Sequence, residues 1–206
     1  MTQEIPNIVI GRLPIYLREL TRLLDEENKI TTSSHELGKR LGISSAQIRK
    51  DLSHFGEFGK QGMGYHIKYL INQLREILHL TVEWDVAVIG AGFLGHAIAN
   101  YNGFNHRGFC IACIFDNNLD KVGEKVDSLI VQHDDEMEQT IKEKNIQVAI
   151  IAVPASAAQS ITDRLISLGV TIILSYAPIY LNVPEHVHVS YSDPVIQLQQ
   201  MAYYLE

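Results

Sequence analysis

The sequence contains few of the features that mark secreted or membrane proteins. Only two cysteines occur in 206 residues, so a disulfide framework is excluded and a reducing compartment is indicated. No run of about 18 uninterrupted apolar residues is present, which excludes a membrane-spanning helix. The first twenty residues lack a basic start followed by an apolar run and a small-residue cleavage site. We therefore expect a cytoplasmic protein without membrane contact.

Residue groups typical of catalytic and metal centres are also missing. No Ser/Lys/Tyr or His/Asp set occurs at a spacing that would serve hydride transfer. The nine histidines are scattered, and His186 and His188 fit an exposed strand better than a metal site. Cys110 and Cys113 spell C-x-x-C within an apolar strand, where residues three apart face opposite sides, so we interpret both as core residues. The sequence predicts neither an enzyme nor a metal protein.

Charge is distributed unevenly along the chain. The net charge is −7, but residues 1–80 hold 11 basic and 9 acidic residues, whereas residues 81–206 hold 6 and 15. Residues 38–68 contain six basic residues and only two acidic ones, Asp51 and Glu57. This local positive charge could bind phosphate groups. The basic residues there are Lys39, Arg40, Arg49, Lys50, Lys60 and Lys68. The first part of the chain is therefore the candidate for nucleic-acid binding.

The first 80 residues show the pattern of a helix-turn-helix. Apolar spacing predicts a helix over residues 10–27. A second helix is expected to be capped by Ser34 and closed by Gly42. A third opens at Ser44, which with Gln47 fits a capping box. This third helix would bury its apolar face and present polar side chains outward.

A glycine-rich stretch at residues 56–65 then predicts a tight hairpin, and residues 65–79 predict an amphipathic helix. This succession is typical of a winged helix, whose third helix enters the major groove. The alternative is a small helical dimerisation domain with a solvated charged face. The residues expected to contact bases or phosphates are Ser33, Ser34, Ser44, Gln47, Arg49, Lys50 and His54.

From Trp84 the pattern changes to alternating strands and helices, which predicts a doubly wound parallel sheet. The expected strands cover residues 86–89, 109–115, 148–153 and 170–174. The expected helices run from the glycine turn to about residue 101, and over residues 137–144 and 155–168. The fold class is therefore α/β with an N-terminal helical unit.

A G-x-G-x-x-G motif follows the first of these strands and opens a helix, the context expected of a dinucleotide site. Gly90 permits the tight turn, Gly92 lets the backbone approach a pyrophosphate, and Gly95 allows close helix–strand packing. Asp116 ends the next strand, where a carboxylate accepts ribose hydroxyls and repels a 2′-phosphate, which favours NAD(H) over NADP(H). The candidate cofactor residues are Gly90, Ala91, Gly92, Phe93, Leu94, Gly95, Asp116, Val153, Pro154 and Tyr176. The alternative for the turn and Asp116 is a glycine-tolerant connection beside a solvated aspartate, without a cofactor. The alternative for Val153, Pro154 and Tyr176 is that they simply end their strands.

Several segments are distinctive as a set. They are Ile15-Tyr16-Leu17-Arg18, Ile48-Arg49-Lys50-Asp51-Leu52-Ser53-His54-Phe55-Gly56, Gly62-Met63-Gly64-Tyr65, the Gly90–Gly95 turn and Phe115-Asp116. In this order, and spread over nearly the whole chain, they resemble the Rex family of redox-sensing transcriptional repressors.

The resemblance implies a homodimer that binds a palindromic, AT-rich operator and is released when NADH binds as the NADH/NAD⁺ ratio rises. It implies a winged-helix domain at residues 1–80, a Rossmann domain at 81–192 and a swapped dimerisation helix at 193–206. It assigns alternative contacts between domains to the switch residues Arg18, Tyr101 and Asp193. Lys60 and Gln61 replace an arginine that is common in the family's wing, and both are further candidates for contact with DNA. The alternatives are an NAD-dependent oxidoreductase or a CoA-binding protein with a helical cap.

Overall fold

The computed structural model describes residues 5–60, 63–104 and 107–205. The chain forms two compact units, a first unit of Met1–Val82 and a second unit of Glu83–Glu206. In the described ranges, no helix is both long and apolar enough to cross a lipid bilayer.

The first unit is a helical core with a small antiparallel sheet. Its elements are α1 (Asn7–Ile10), α2 (Leu13–Asp25), β1 (Thr31–Thr32), α3 (Ser34–Leu41), α4 (Ser45–Ser53), β2 (Gly59–Lys60), β3 (Gly64–His66) and α5 (Ile67–Ile77). Apolar side chains at helical spacing build the core, because one stripe of each helix turns inward. The fully buried ones are Leu13, Tyr16, Leu20, Leu23, Leu37, Ile48, Ile67, Leu70 and Leu74.

The helix predicted over residues 10–27 is α2, which is shorter at both ends, and the separate short helix α1 precedes it. The chain turns at Gly11 and Arg12, and α2 then starts with Pro14 in its first turn. Proline favours that place because its ring fixes φ and its missing N–H would be unpaired there in any case. The periodicity of the apolar residues did not reveal this turn.

The caps of α3 and α4 correct one prediction and refine another. Ser33, not Ser34, caps α3, since its Oγ accepts a hydrogen bond from the Glu36 N–H at 3.1 Å. Ser44 caps α4 as expected, accepting from the Gln47 N–H at 3.2 Å. The Gln47 side chain donates to Asp51 at 2.7 Å instead of completing a capping box.

The predicted hairpin is present, and a third strand joins it. β3 lies between β1 and β2 and is antiparallel to both. Gly64 adopts φ +71°, and a Cβ there would lie 2.2 Å from the carbonyl oxygen of Thr32. Glycine is therefore required where β3 passes β1. The two-residue strand β1 was not predicted because it is too short to show any alternation.

The second unit is a seven-stranded sheet with helices on both faces. Its strands are β4 (Trp84–Ile89), β5 (Phe109–Asp116), β6 (Lys125–Val126), β7 (Leu129–His133), β8 (Val148–Ile151), β9 (Ile172–Ser175) and β10 (His188–Tyr191), in the order β10-β9-β8-β4-β5-β7-β6. Its α-helices are α6 (Phe93–Ala99), α7 (Met137–Lys144), α8 (Ala155–Ser167) and α9 (Pro194–Ala202). All pairs are parallel except β6 with β7.

This order without β6 is that of a Rossmann sheet, with the topological switch point between β4 and β8. Alternate residues of β4 enter two separate cores, Ala87 and Ile89 on one face and Val86 and Val88 on the other. Helices cover both faces of such a sheet, which explains why β4 is apolar and buried from Val86 to Ile89.

The cysteines lie beside an irregularity in the sheet. The register between β4 and β5 shifts between Val86 and Ala87, which leaves Ala112 as an extra residue in β5. The strict alternation that we assumed for Cys110 and Cys113 therefore does not hold. Burial raises the pKa of both thiols, that of Cys113 to about 12, so neither is activated as a nucleophile.

Candidate functional site

The glycine turn between β4 and α6 is fixed by backbone contacts. Gly90 adopts φ +103°, and a Cβ there would lie 2.5 Å from the Ala152 carbonyl oxygen. A Cβ on Gly95 would lie 1.8 Å from the Gly90 carbonyl oxygen. Both positions therefore exclude any larger residue, which agrees with the roles that the motif predicts for them.

Gly92 has a different environment. It precedes α6 as the N-cap residue, and no non-neighbouring heavy atom of the described chain lies within 4 Å of its Cβ position. The packing of the chain does not require glycine here, so open space is left in front of the first turn of α6. Phe93 is fully exposed beside it, Leu94 is partly exposed and Ala91 is buried. The turn thus offers backbone N–H groups on an open side.

Asp116, at the end of β5, is tied to this turn. Its carboxylate is 8% exposed and accepts hydrogen bonds from the N–H groups of Ala91 at 2.7 Å and Asn118 at 2.8 Å. The Lys121 ammonium donates to it at 3.0 Å. Burial acts to raise the pKa of Asp116, but these three donors outweigh it and hold that pKa below its ordinary value. The carboxylate is therefore ionised and largely engaged within the protein.

The remaining cofactor candidates lie at the same edge of the sheet. Val153 and Pro154 follow β8, and Tyr176 follows β9. The Cγ1 atom of Val153 lies 3.1 Å from the Cβ position of Gly90, and the Tyr176 N–H donates to Ile151 at 2.9 Å. The carboxyl ends of β4, β8 and β9 thus meet at the switch point, where open α/β sheets bind ligands.

Helix α4 presents one charged face. Ile48 and Leu52 are buried, whereas Arg49 and Lys50 are exposed. The Nη1 atom of Arg49 donates a hydrogen bond to the Ser34 Oγ at 3.0 Å. Two of the residues predicted to contact DNA are therefore bonded to each other. The His54 N–H bonds the last turn of α4, and its side chain is partly exposed.

The opposite face of α4 holds a buried ionic network that the sequence did not reveal. Asp51 is fully buried and accepts from Arg12 Nε at 2.5 Å and Nη2 at 2.7 Å, and from the Tyr16 hydroxyl at 2.6 Å. Gln47 adds a fourth bond at 2.7 Å. Burial acts to raise the pKa of Asp51, but these donors hold that pKa below its ordinary value. The signal that could have indicated this network is the acidic residue Asp51 at a helix position between the apolar residues Ile48 and Leu52.

Arg40 does not belong to the predicted phosphate-binding surplus. Its guanidinium makes a bidentate pair with Glu27, at 2.6 and 2.8 Å, and a third contact with Glu19 at 3.3 Å. Because these carboxylates neutralise the charge inside the unit, Arg40 stabilises the packing of α3 rather than a phosphate. Arg49 and Lys50 remain exposed.

Gln61 lies outside the described residues, and of Lys60 the structure describes the backbone in β2.

The switch candidates are divided between the units. Arg18 is exposed on α2 of the first unit, whereas Tyr101 and Asp193 lie in the second. Tyr101 is 59% exposed and stacks edge-on against Phe104. Asp193 caps α9, accepting from the Val195 N–H at 2.9 Å.

Helix α9 carries several large apolar residues but has no buried residue. Its exposed large apolar side chains, with those just after it, are Val195, Ile196, Leu198, Met201, Tyr203, Tyr204 and Leu205. Exposed apolar side chains in this number within one short segment are typical of an interaction surface.

In the described ranges, one group of side chains lies close enough to share a cation: His133, Asp134 and Asp135. The His133 ring accepts from the Asp135 N–H at 3.3 Å and so caps the short helix that follows. This capping hydrogen bond accounts for the close placement of the three side chains without a metal ion.

Comparison with known proteins agrees with this division of the chain. A family model described as "Putative DNA-binding protein N-terminus" matches residues 4–53. A second, "CoA binding domain", matches residues 81–179, which is less than half of the chain.

Curated relatives match almost the entire chain. A protein of Roseiflexus sp. strain RS-1 is 53% identical over 98% of this chain and 92% of its own length. One of Brevibacillus brevis is 49% identical over 98% of both chains. One of Streptomyces coelicolor is 45% identical over 98% of this chain and 78% of its own. Each is named "Redox-sensing transcriptional repressor Rex". The chain belongs to the Rex family of redox-sensing transcriptional repressors.

Solved structures of RSP, a Rex-family repressor, share the fold. The structure of RSP in complex with β-NAD⁺ and operator DNA matches with a TM-score of 0.93 and 37% identity, over 98% of this chain and 93% of that one. RSP in complex with β-NADH matches with a TM-score of 0.88 and 35% identity, over 98% and 95%. The predicted α/β fold with an N-terminal DNA-binding unit is therefore confirmed. Rex proteins are repressors, so the chain is a regulator and not an oxidoreductase.

Proposed function

We propose that this Rex protein represses transcription as a cytoplasmic homodimer, which binds a palindromic operator and dissociates from it when NADH binds. The observation that carries the proposal is the likeness, over nearly the full chain, to a repressor solved with NAD⁺ and operator DNA and also with NADH. The proposed domains are a winged helix at residues 1–80, a Rossmann domain at 81–192 and a dimerisation helix at 193–206.

The cofactor site is proposed at the switch point of the Rossmann sheet. The open side of Gly92 and the N–H groups of the first turn of α6 suit a pyrophosphate. Asp116 keeps a negative charge beside the turn, which disfavours a ribose 2′-phosphate, although Lys121 offsets part of that charge. Val153, Pro154 and Tyr176 would line the continuation of the site along the sheet edge. The ratio of NADH to NAD⁺ is the redox signal, and the residues of the chain provide the shape and charge of the site that would bind the cofactor.

The operator site is proposed on the exposed face of α4 and on the wing. Arg49 and Lys50 would enter the major groove, where arginine bonds guanine edges bidentately. Ser33, Ser34 and Ser44 lie at helix starts, where hydroxyls and N–H groups suit phosphates. Gln47 is held by Asp51, so its proposed contact must use the remaining amide atoms. His54, Lys60 and Gln61 complete the proposed set.

The dimer and the switch are proposed to use α9 and the three residues of the family pattern. The apolar surface of α9 fits a second copy of the chain, since burial of such surface drives association. Asp193 would pair with Arg18 in the form that binds DNA and with Tyr101 in the NADH form. A ligand shifts such an equilibrium only through different affinities for the two forms.

The test is a DNA-binding titration. A fluorescent operator duplex, selected by the wild-type protein from a random-sequence pool, is followed by anisotropy while NADH, NAD⁺, NADPH or CoA is added. We expect NADH to release the duplex at concentrations where the other three leave it bound. Equal effects of NADH and NAD⁺ would contradict redox sensing, and release by CoA would favour the CoA-binding alternative that the second family model raises.

A further inference from the structure

The inner face of α4 carries an ion where an apolar residue would suffice. Asp51 lies between Ile48 and Leu52, and all three are at most 3% exposed. A buried carboxylate costs free energy unless it is fully paired, and an apolar residue of similar size often serves stability equally well. The position is therefore not explained by core packing alone.

The pairing of Asp51 is complete and directional. The guanidinium of Arg12 bonds both carboxylate oxygens, and Tyr16 and Gln47 provide two further donors. Four donors match the roughly four acceptor positions of a carboxylate. A bidentate arginine fixes the orientation of the carboxylate plane as well as its distance. Arg12 and Tyr16 lie at the start of α2, so α4 is held to α2 at two points.

Holding Asp51 also sets where the exposed residues of α4 point. Successive residues of a helix are rotated by roughly 100° about its axis. Arg49 and Lys50 directly precede Asp51, so any rotation of α4 that releases the carboxylate turns both cations away from their present direction. Arg49 is further held by Ser34 on α3, which makes its direction sensitive to the placement of α4.

We propose that Asp51 is a positioning residue for operator recognition, which fixes the rotation of α4 on α2 so that Arg49 meets its base. The inference rests on the proposed operator site. It differs from a role in stability alone because it predicts energetic coupling between Asp51, on the inner face, and Arg49, on the outer face.

A double-mutant cycle tests this coupling. Binding to the selected operator duplex and to a scrambled duplex is measured for the wild type, Asp51→Asn, Arg49→Ala and the double variant. In the wild-type background, Arg49→Ala should weaken operator binding by about tenfold or more. In the Asp51→Asn background it should weaken binding by less than about twofold, because Arg49 no longer reaches its base. An equal loss in both backgrounds would overturn the proposal.

Two further variants separate positioning from stability. Tyr16→Phe keeps the packed ring and removes one bond to Asp51, so a smaller but real reduction of the Arg49→Ala effect is expected even if Asp51→Asn fails to fold. Leu23→Ala weakens the same core without touching the network, and there Arg49→Ala should retain its full effect. A reduced effect in Leu23→Ala, or an unreduced one in Tyr16→Phe, would overturn the inference.

The failure of the proposed function would look different. A wild-type protein that selects no duplex from the pool would overturn the operator site, and this inference with it. Additive cycles in a protein that does select an operator would overturn only the role of Asp51. NADH binding, measured on the same samples, shows that the second unit is intact.

Discussion

The Oδ2 atom of Asp116 accepts a hydrogen bond from the backbone N–H of Ala91 at 2.7 Å. The acid that ends β5 is thereby attached to the glycine turn that follows β4. The two strands are neighbours in the sheet, so this bond joins the carboxyl ends of adjacent strands. The acid therefore supports the shape of the turn in addition to any contact with a ribose.

Asp116→Asn should weaken NADH binding by about tenfold or more, because bonds to a charged acceptor are worth about 1.5–3 kcal/mol. The amide retains the size of the side chain but loses the ion pair with Lys121. Affinity is measured by the change in NADH fluorescence on titration. Asp120→Asn is the matched control, since Asp120 is exposed four residues away and its variant should bind NADH normally. Unchanged affinity in Asp116→Asn would remove Asp116 from the proposed site.

The glycines of the turn should respond in opposite ways. Gly95→Ala should destabilise the second unit and abolish NADH binding, because its Cβ would lie 1.8 Å from a carbonyl oxygen. Gly92→Ala should leave the melting temperature unchanged or slightly higher, because the space is open and φ is −78°. It should nevertheless weaken NADH binding if a pyrophosphate approaches there. Thermal unfolding and NADH titration of both proteins decide this, and normal affinity in Gly92→Ala would move the pyrophosphate elsewhere.

Both units should lose stability at acid pH. The pKa values of Asp51 and Asp116 are lower in the folded chain than their ordinary values, so the unfolded chain binds protons more readily. Their stabilisation is then complete above roughly pH 5 and is lost progressively as pH falls through the folded pKa values. Urea unfolding between pH 7 and pH 3 measures it, with far-UV circular dichroism for the whole chain and the fluorescence of Trp84, the single tryptophan, for the second unit. In Asp116→Asn, the free energy of unfolding reported by Trp84 fluorescence should depend less steeply on pH than in the wild type. An equally steep dependence would contradict the contribution of Asp116 to acid sensitivity.

Tyr101→Phe should bind NADH and operator DNA but fail to release the DNA at the NADH concentration that releases the wild type. The hydroxyl is the group that would pair with Asp193, and the exposed ring contributes little to the core. Asp193→Asn should likewise lose the switch while the amide oxygen still caps α9, whereas Asp193→Ala should lose both. Anisotropy titrations measure release. Normal release from Tyr101→Phe would rule out this pairing.

Leu198→Asp should convert the proposed dimer to a monomer. Leu198 is 64% exposed in the single chain, so the substitution should change the folding stability of the monomer little. Burial of a leucine is worth about 1.5–3 kcal/mol, and a symmetric dimer would lose this twice. Gln199→Asp, at the next position of α9, is the control and should remain dimeric. Analytical ultracentrifugation gives the mass, and a dimeric Leu198→Asp protein would exclude this surface from the interface.

The sequence predicted the elements whose pattern is local and long. The helix expected over residues 155–168 is Ala155–Ser167, and the strand expected over 109–115 is Phe109–Asp116. The strands β1, β6 and β7 were missed. Strands β1 and β6 have two residues each, so their existence depends on the partner strand and not on their own composition. The extra residue Ala112 was missed for the same reason.

The candidate sites divide in a similar way. Gly90 and Gly95 could be assigned from the motif because each role follows from a fixed spacing around one turn. The partners of Asp51 could not be predicted, because Arg12 is 39 residues away and only the packing of α2 on α4 joins them. Ala91 meets Asp116 through the pairing of β4 with β5, which the sequence predicts only as a strand order. Lys121 is only five residues from Asp116, but the turn that brings it back was not predicted.

The placement of Asp51 opposite the exposed face of α4 has a consequence for altering this repressor. Arg49 and Lys50 can be exchanged, singly or together, while the anchored face of the helix is left as it is. Libraries that vary only these outward positions should therefore yield folded repressors with new target sequences. Conversely, a change at Arg12 should be accepted in descendants of this chain only with a matching change at Asp51, so the two positions should vary together.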